Sequence, residues 1–236
     1  MIQRGIIAAL VCMLWVGGQL YSQPKAEQLL QKIVKKYKET PSYEIGVTYT
    51  MLRGLTGNHS TETYTGTVQK QGTTNVFSAM GSEIIQTPGL KLVIDHAHKQ
   101  IRYTHQKETS LQGSPVDISG FLTYFKVAGV EEKNNQWVCE LLRTENQMQL
   151  PYAKVILYID KDTHYLNQQE LLLANLVPFK EGNGSKMDYG RLLITLDHTK
   201  NPDNKIVQLS DYVLQEKDKL QTTEKYQDYT LIQQPN

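Results

Sequence analysis

The chain has 236 residues, with 25 Lys+Arg against 24 Asp+Glu and 2 Cys. A formal net charge of +1 with His neutral provides no basic field for nucleic acid and no polybasic patch for anionic lipid. The length holds one sizeable core, and single all-β domains of this size are common.

Residues 1–22 read MIQRGIIAALVCMLWVGGQLYS: one Arg, an apolar run from Ile6 to Val16, then small and polar residues. This predicts a secretory signal peptide cut after Ser22. The run is too short to span a bilayer comfortably. Cys12 is a poor lipidation site, because Val11 is branched where a small residue is wanted and the apolar run continues past the thiol. Residues 23–236 are then expected to form a single exported, soluble domain. Losing Arg4 leaves 24 basic and 24 acidic residues, and Cys139 alone cannot make an internal disulfide.

From Pro24 to Glu39, Leu29, Leu30, Ile33, Val34 and Tyr37 recur at helical spacing with Lys, Gln and Glu between them. Thr40-Pro41 ends that helix, since a residue before proline is pushed out of helical dihedrals. The period then changes to two. In SYEIGVTYTML, Tyr43, Ile45, Val47, Tyr49 and Met51 share one face of a half-buried strand. Further strands are expected near 60–71, 73–80, 83–86, 90–95, 100–106, 136–144, 153–159, 165–174, 189–196, 205–215 and 226–232. About eleven short strands joined by tight turns predict one meandering antiparallel sheet.

The stretch GSPVDISGFLTYFK interrupts the strands. Ser114 suits an N-cap, Pro115 a first helical position and Asp117 the positive end of the helix dipole. Val116, Phe121, Leu122 and Phe125 make an apolar stripe, while Gly120 costs such a helix about 1 kcal/mol relative to Ala. The helix should be short. PFKEGNGSKMDYG, residues 178–190, is rich in Gly and polar residues and is expected to be a mobile surface loop.

Three strands end in Asp: Leu90-x-Leu92-x-Ile94-Asp95, Val155-x-Leu157-x-Ile159-Asp160 and Leu192-x-Ile194-x-Leu196-Asp197. Each carboxylate can accept from the backbone of the turn that follows. His96, His98, His164 and His198 lie just beyond these ends, where any polar residue would serve. His96 and His98 could meet His105 across a hairpin, but zinc needs three or four converging ligands held by a second layer of hydrogen bonds. The turn reading is preferred, and no metal or other cofactor is expected.

No G-x-S-x-G, H-E-x-x-H, P-loop or dinucleotide-binding pattern occurs. Glu131 and Glu132 are adjacent and so point to opposite faces of a strand. Cys139 alternates with Trp137 and Leu141, as a buried structural thiol does. No catalytic residue is assigned, and an enzyme is not expected. Instead, Val47, Tyr49 and Met51 face inward because their alternates are Thr. By the same parity Leu90, Leu92 and Ile94 are expected on that face, with Phe121, Leu122 and Phe125 of the short helix opposite them. These nine residues either line an apolar cleft for a lipid-like ligand or fill a core; periodicity leaves both open.

The order of helix, strand, GTVQKQGTTNVF, SEIIQTPGLKLVID, GSPVDISGFL and KVILYIDKDT resembles the periplasmic outer-membrane lipoprotein carrier (LolA-like) superfamily. Gly66, Val68 and Phe77 fit its first motif, Ile85, Gly89, Leu92 and Asp95 its second, and Ser114-Pro115 its third. The resemblance covers most of residues 24–175. It implies an α+β, mainly antiparallel fold: a half-open, incomplete β-barrel of about eleven strands, with helices packed on its concave face. It further implies a monomeric periplasmic carrier or chaperone for a lipid or lipidated protein, served by an inner-membrane exporter and an outer-membrane acceptor. One departure is clear. The family's Arg-Pro pair, whose Arg latches the lid, is replaced by Lys70-Gln71-Gly72, so neither latch nor lipoprotein cargo follows. The alternative on the same fold is an envelope binding or sensor module that transports nothing.

Overall fold

The computed structural model describes residues 23–107, 114–147, 149–199, 207–216 and 219–235. The expected signal peptide, Cys12 included, lies outside the described residues, as does the start of the strand expected from Lys205. Helix α1 spans Gln23–Glu39 and buries Ala26, Leu30, Ile33 and Tyr37, one turn apart along a single stripe. Its last turn closes where Thr40 returns both its N–H and its hydroxyl to Lys36 O, at 2.9 and 2.8 Å.

Strands follow as β1 (Ser42–Arg53), β2 (Ser60–Gln71), β3 (Thr74–Ala79), β4 (Ser82–Thr87), β5 (Gly89–Asp95) and β6 (Gln100–Gln106). After α2 (Ile118–Tyr124) come β7 (Phe125–Lys133), β8 (Gln136–Arg143), β9 (Tyr152–Asp160), β10 (Leu166–Leu173), β11 (Val177–Glu181), β12 (Gly184–Asp188) and β13 (Gly190–Asp197). The chain closes with β14 (Val213–Glu216), β15 (Lys219–Thr222) and β16 (Thr230–Gln233). Twelve strands make one sheet in the order β16-β6-β5-β4-β3-β2-β1-β13-β10-β9-β8-β7. Every pairing in it is antiparallel except β16 with β6. The two edge strands, β7 and β16, do not pair with each other. The fold is therefore α+β, a large open antiparallel sheet rather than a closed barrel.

Four elements differ from the sequence-based expectation. Within the strand expected at 205–215, Leu209–Asp211 forms a 3-10 turn and only Val213 onward is extended, paired with β15 outside the main sheet. The segment expected as a loop at 178–190 folds largely into the β11–β12 hairpin, with Phe179 buried and Arg53 tying it to the sheet through Asp188 and Glu181. Strand β7 is not among the expected strands, and Phe125 begins it instead of extending the α2 stripe. The N-cap of α2 is Asp117, not Ser114, and its carboxylate accepts from Gly120 N at 2.9 Å. A Cβ at Gly120 would stand 2.6 Å from that carboxylate, so the glycine keeps the cap in place.

The sheet is covered on both faces by different parts of the chain. Residues directly opposite in a ladder share a face, so the register carries each face across the strands. One row runs Ile45, Val68, Phe77, Ile84, Val93 and Arg102. Its β1–β2 end, with the inward residues of β7–β10 and β13, forms a core with α1 and α2. The neighbouring row runs Gln69, Val76, Ile85, Leu92 and Tyr103 and faces the other way. There Ile85, Leu92, Ile94 and Ile101 pack against Tyr212, Val213 and Tyr226 of the C-terminal segment. Leu90, Leu92 and Ile94 are therefore not on the face of Val47 and Tyr49, contrary to the parity argument.

Candidate functional site

The strand ends behave as their Asp residues predict. Asp95 Oδ1 accepts from His98 N, Asp160 Oδ1 from Asp162 N and Thr163 N, and Asp197 Oδ1 from Thr199 N. The His98 side chain, then its backbone N–H, holds Asp95 below the usual carboxylate range, and the Thr163 backbone N–H does the same for Asp160. The histidines divide. His98 donates from Nδ1 to Asp95 at 2.8 Å within its own turn. His96 reaches Glu83 Oε1 through Nε2 at 2.7 Å and Tyr229 through Nδ1 at 2.9 Å. Tyr212 donates to the other oxygen of Glu83, so this cluster ties the C-terminal segment to β4.

His198 is more than polar filler. Its ring stacks on Tyr165 at 4.5 Å, and Nε2 donates to Leu166 O at 2.8 Å. Burial holds its imidazole below the ordinary value of 6.5. Beside it the buried Tyr37 hydroxyl accepts from Leu166 N at 3.1 Å, which fixes α1 to β10. Cys139 is a buried free thiol whose pKa is pushed up to about 12, so it stays protonated and unreactive.

The apolar cavity lies under α2, and its volume is about 420 Å³. Two rungs of the sheet form its floor. The first carries Tyr49, Ile194 and Gln169 from β1, β13 and β10; the second carries Leu192 and Leu171, with Met51 paired to Leu192 alongside. Pro115, Asp117, Phe121 and Tyr124 line it from α2 and the turn before it, and Phe125 from the start of β7. Leu150, Pro151 and Tyr152 also line it, and Arg143 Nη1 donates to Leu150 O at 2.9 Å. A volume of this size lies within the range of small-ligand pockets, ~300–1,000 Å³. Burial raises the phenols of Tyr49 and Tyr152, so both remain neutral.

Of the nine residues expected to line a cleft, Tyr49, Phe121 and Phe125 do so. Met51 is half-buried beside the cavity, Leu122 is half-buried against the core, and Val47 is buried in the core itself. Leu90, Leu92 and Ile94 lie on the other face under the C-terminal segment. The sequence reading missed Gln169, Leu171, Leu192, Ile194 and Tyr152. The alternation in Leu192-x-Ile194 was a usable signal; nothing marked Gln169, which sits in a polar run.

A cation does hold helix α1, in spite of the missing Arg-Pro pair. Lys70 Nζ donates to Tyr37 O at 3.0 Å and Lys38 O at 2.6 Å, capping the negative end of the helix. Burial pulls the Lys70 pKa down.

A wide open antiparallel sheet with an apolar cavity beneath a short helix defines the class of fold. No family model and no curated protein matches the chain. Among solved structures it is similar to an uncharacterized conserved protein from Thermus thermophilus, at 12% identity and a TM-score of 0.46 over 89% of this chain and 99% of that one. It is also similar to a LolA superfamily protein from Nitrosomonas europaea, at 12% identity and a TM-score of 0.32 over 75% of this chain and 94% of that one. The lipoprotein LppX of Mycobacterium tuberculosis matches at 14% identity and a TM-score of 0.35, over 77% of this chain and all of that one (100%).

Proposed function

We infer that the protein is an exported carrier or chaperone of the bacterial envelope that shields an acyl chain or similar apolar ligand beneath α2. The observation that carries this reading is the cavity of about 420 Å³, whose walls are mostly aliphatic and aromatic. Burying an alkyl chain there stabilises the complex by ~0.8 kcal/mol per methylene before the losses of association. The buried thiol and the absence of a nucleophile–base pair among the described cavity residues favour holding a ligand over transforming it. The leader-like residues 1–22 favour a periplasmic location, where such a carrier could receive cargo from one membrane and deliver it to another.

The test is native mass spectrometry with lipid extraction on protein purified from its own host, followed by titration with an apolar fluorescent probe. A co-purifying acyl-chain compound that competes with the probe supports the reading. A ligand-free protein with no saturable probe binding would sink it. Leu192→Trp, which places a larger ring on the cavity floor, should abolish probe binding while the fold persists.

A further inference from the structure

Gln169 is fully buried at the floor of the cavity, and its two amide ends have different fates. Its Nε2 donates to Pro115 O in the turn leading into α2. Because a carbonyl only accepts, this bond fixes the orientation of the amide and leaves Oε1 as the second end. That oxygen has no hydrogen-bond partner and is closed off from solvent. A buried acceptor without a donor is unfavourable, and the cavity that Gln169 lines is a space beside it that a ligand can enter.

The charges around the cavity point the same way. Among the described residues its lining contains one ionisable carboxylate, Asp117, and no Lys, Arg or His. The start of α2 is not open to an anion, because Asp117 already caps it through Gly120 N. Tyr49 and Tyr152 can each give or accept one hydrogen bond, and burial keeps both neutral. An anionic head group would meet a carboxylate and no cation, whereas a neutral head with an N–H or O–H would fill the empty acceptor.

We propose that the cavity selects neutral amphiphiles that carry a hydrogen-bond donor at the polar end of an apolar chain, with Gln169 Oε1 as the acceptor. This rests on the carrier reading and specifies its ligand. Fatty amides, fatty alcohols and monoacylglycerols belong to the class; ionised fatty acids and simple esters do not.

The experiment is displacement of an apolar fluorescent probe by dodecanamide, methyl dodecanoate and dodecanoate at mildly alkaline pH, on the wild type and on Gln169→Leu. The wild type should bind the amide about tenfold more tightly than the ester, the effect of one buried hydrogen bond, and more tightly than the anion. Gln169→Leu should bind amide and ester equally, with ester affinity retained. Equal binding of amide and ester by the wild type, or tightest binding of dodecanoate, overturns the proposal while leaving the carrier reading intact. Failure of all three to displace the probe, or of the probe to bind, overturns the carrier reading and this proposal with it. The wild-type ranking decides the matter even if Gln169→Leu does not fold.

Discussion

Phe121 and Phe125 are neighbours in sequence and in space, yet their truncations should have opposite signatures. Their rings meet edge to face at 6.1 Å and 82°. Phe125 is 5% exposed and belongs to the core under the sheet, whereas Phe121 is half-buried and faces the cavity from α2. Phe125→Ala removes a fully packed ring and should cost about 3–5 kcal/mol. Phe121→Ala forfeits roughly half of a full Phe burial, about 1 kcal/mol, together with the ring pair, about 1 kcal/mol more. The expected gap between the two variants is therefore about 2 kcal/mol. Urea unfolding followed by far-UV circular dichroism measures it, and a probe titration on the same samples measures the cavity. Phe121→Ala should weaken probe binding despite its smaller stability loss. The reasoning is refuted if Phe121→Ala destabilises as much as Phe125→Ala and leaves probe affinity unchanged.

Ile94→Ala tests the two-faced sheet: the side chain is 0% exposed beneath the C-terminal segment, so the variant should lose about 2–5 kcal/mol with probe affinity unchanged. A drop in probe affinity at native conditions would return Ile94 to the cavity face. Stability should also fall in two stages on acidification. His198 has its folded pKa depressed below 6.5 by burial, so its contribution is present above that value and is lost as pH falls through the folded pKa. Asp95, Asp160 and Asp188 are depressed below 3.8, so theirs is lost only in stronger acid. His198→Gln should remove the upper stage and keep the lower one, as read from urea midpoints across pH; an unchanged upper stage would assign it elsewhere.

Much of the fold was legible because it is written locally. Apolar residues at helical spacing marked α1, alternation marked β1 and its buried face, and an Asp at the end of three strands marked the turns that its carboxylate then secures. One meandering antiparallel sheet also followed, from the run of short strands joined by tight turns, whereas its being incomplete was implied by the family resemblance alone. These features depend on interactions within a few residues, and a single strand's period of two divides its side chains into two sets unaided.

Which set meets the helices is a different matter, and only the tertiary structure decided it. Alternation assigns two faces within a strand but says nothing about how those faces match the next strand. That match comes from register, and one residue of shift exchanges the faces. The rungs joining Ile45 to Val68, Phe77, Ile84 and Val93 put Leu92 and Ile94 on the far side, where tyrosines from the C-terminal segment, more than a hundred residues away in sequence, cover them. Gln169 became part of the site for the same reason. Its rung with Ile194 and Tyr49 joins three strands distant along the chain, and its significance depends on Pro115 taking one end of its amide and nothing taking the other. A period can be read from neighbours in sequence; a cavity exists only where segments remote in sequence leave a space between them.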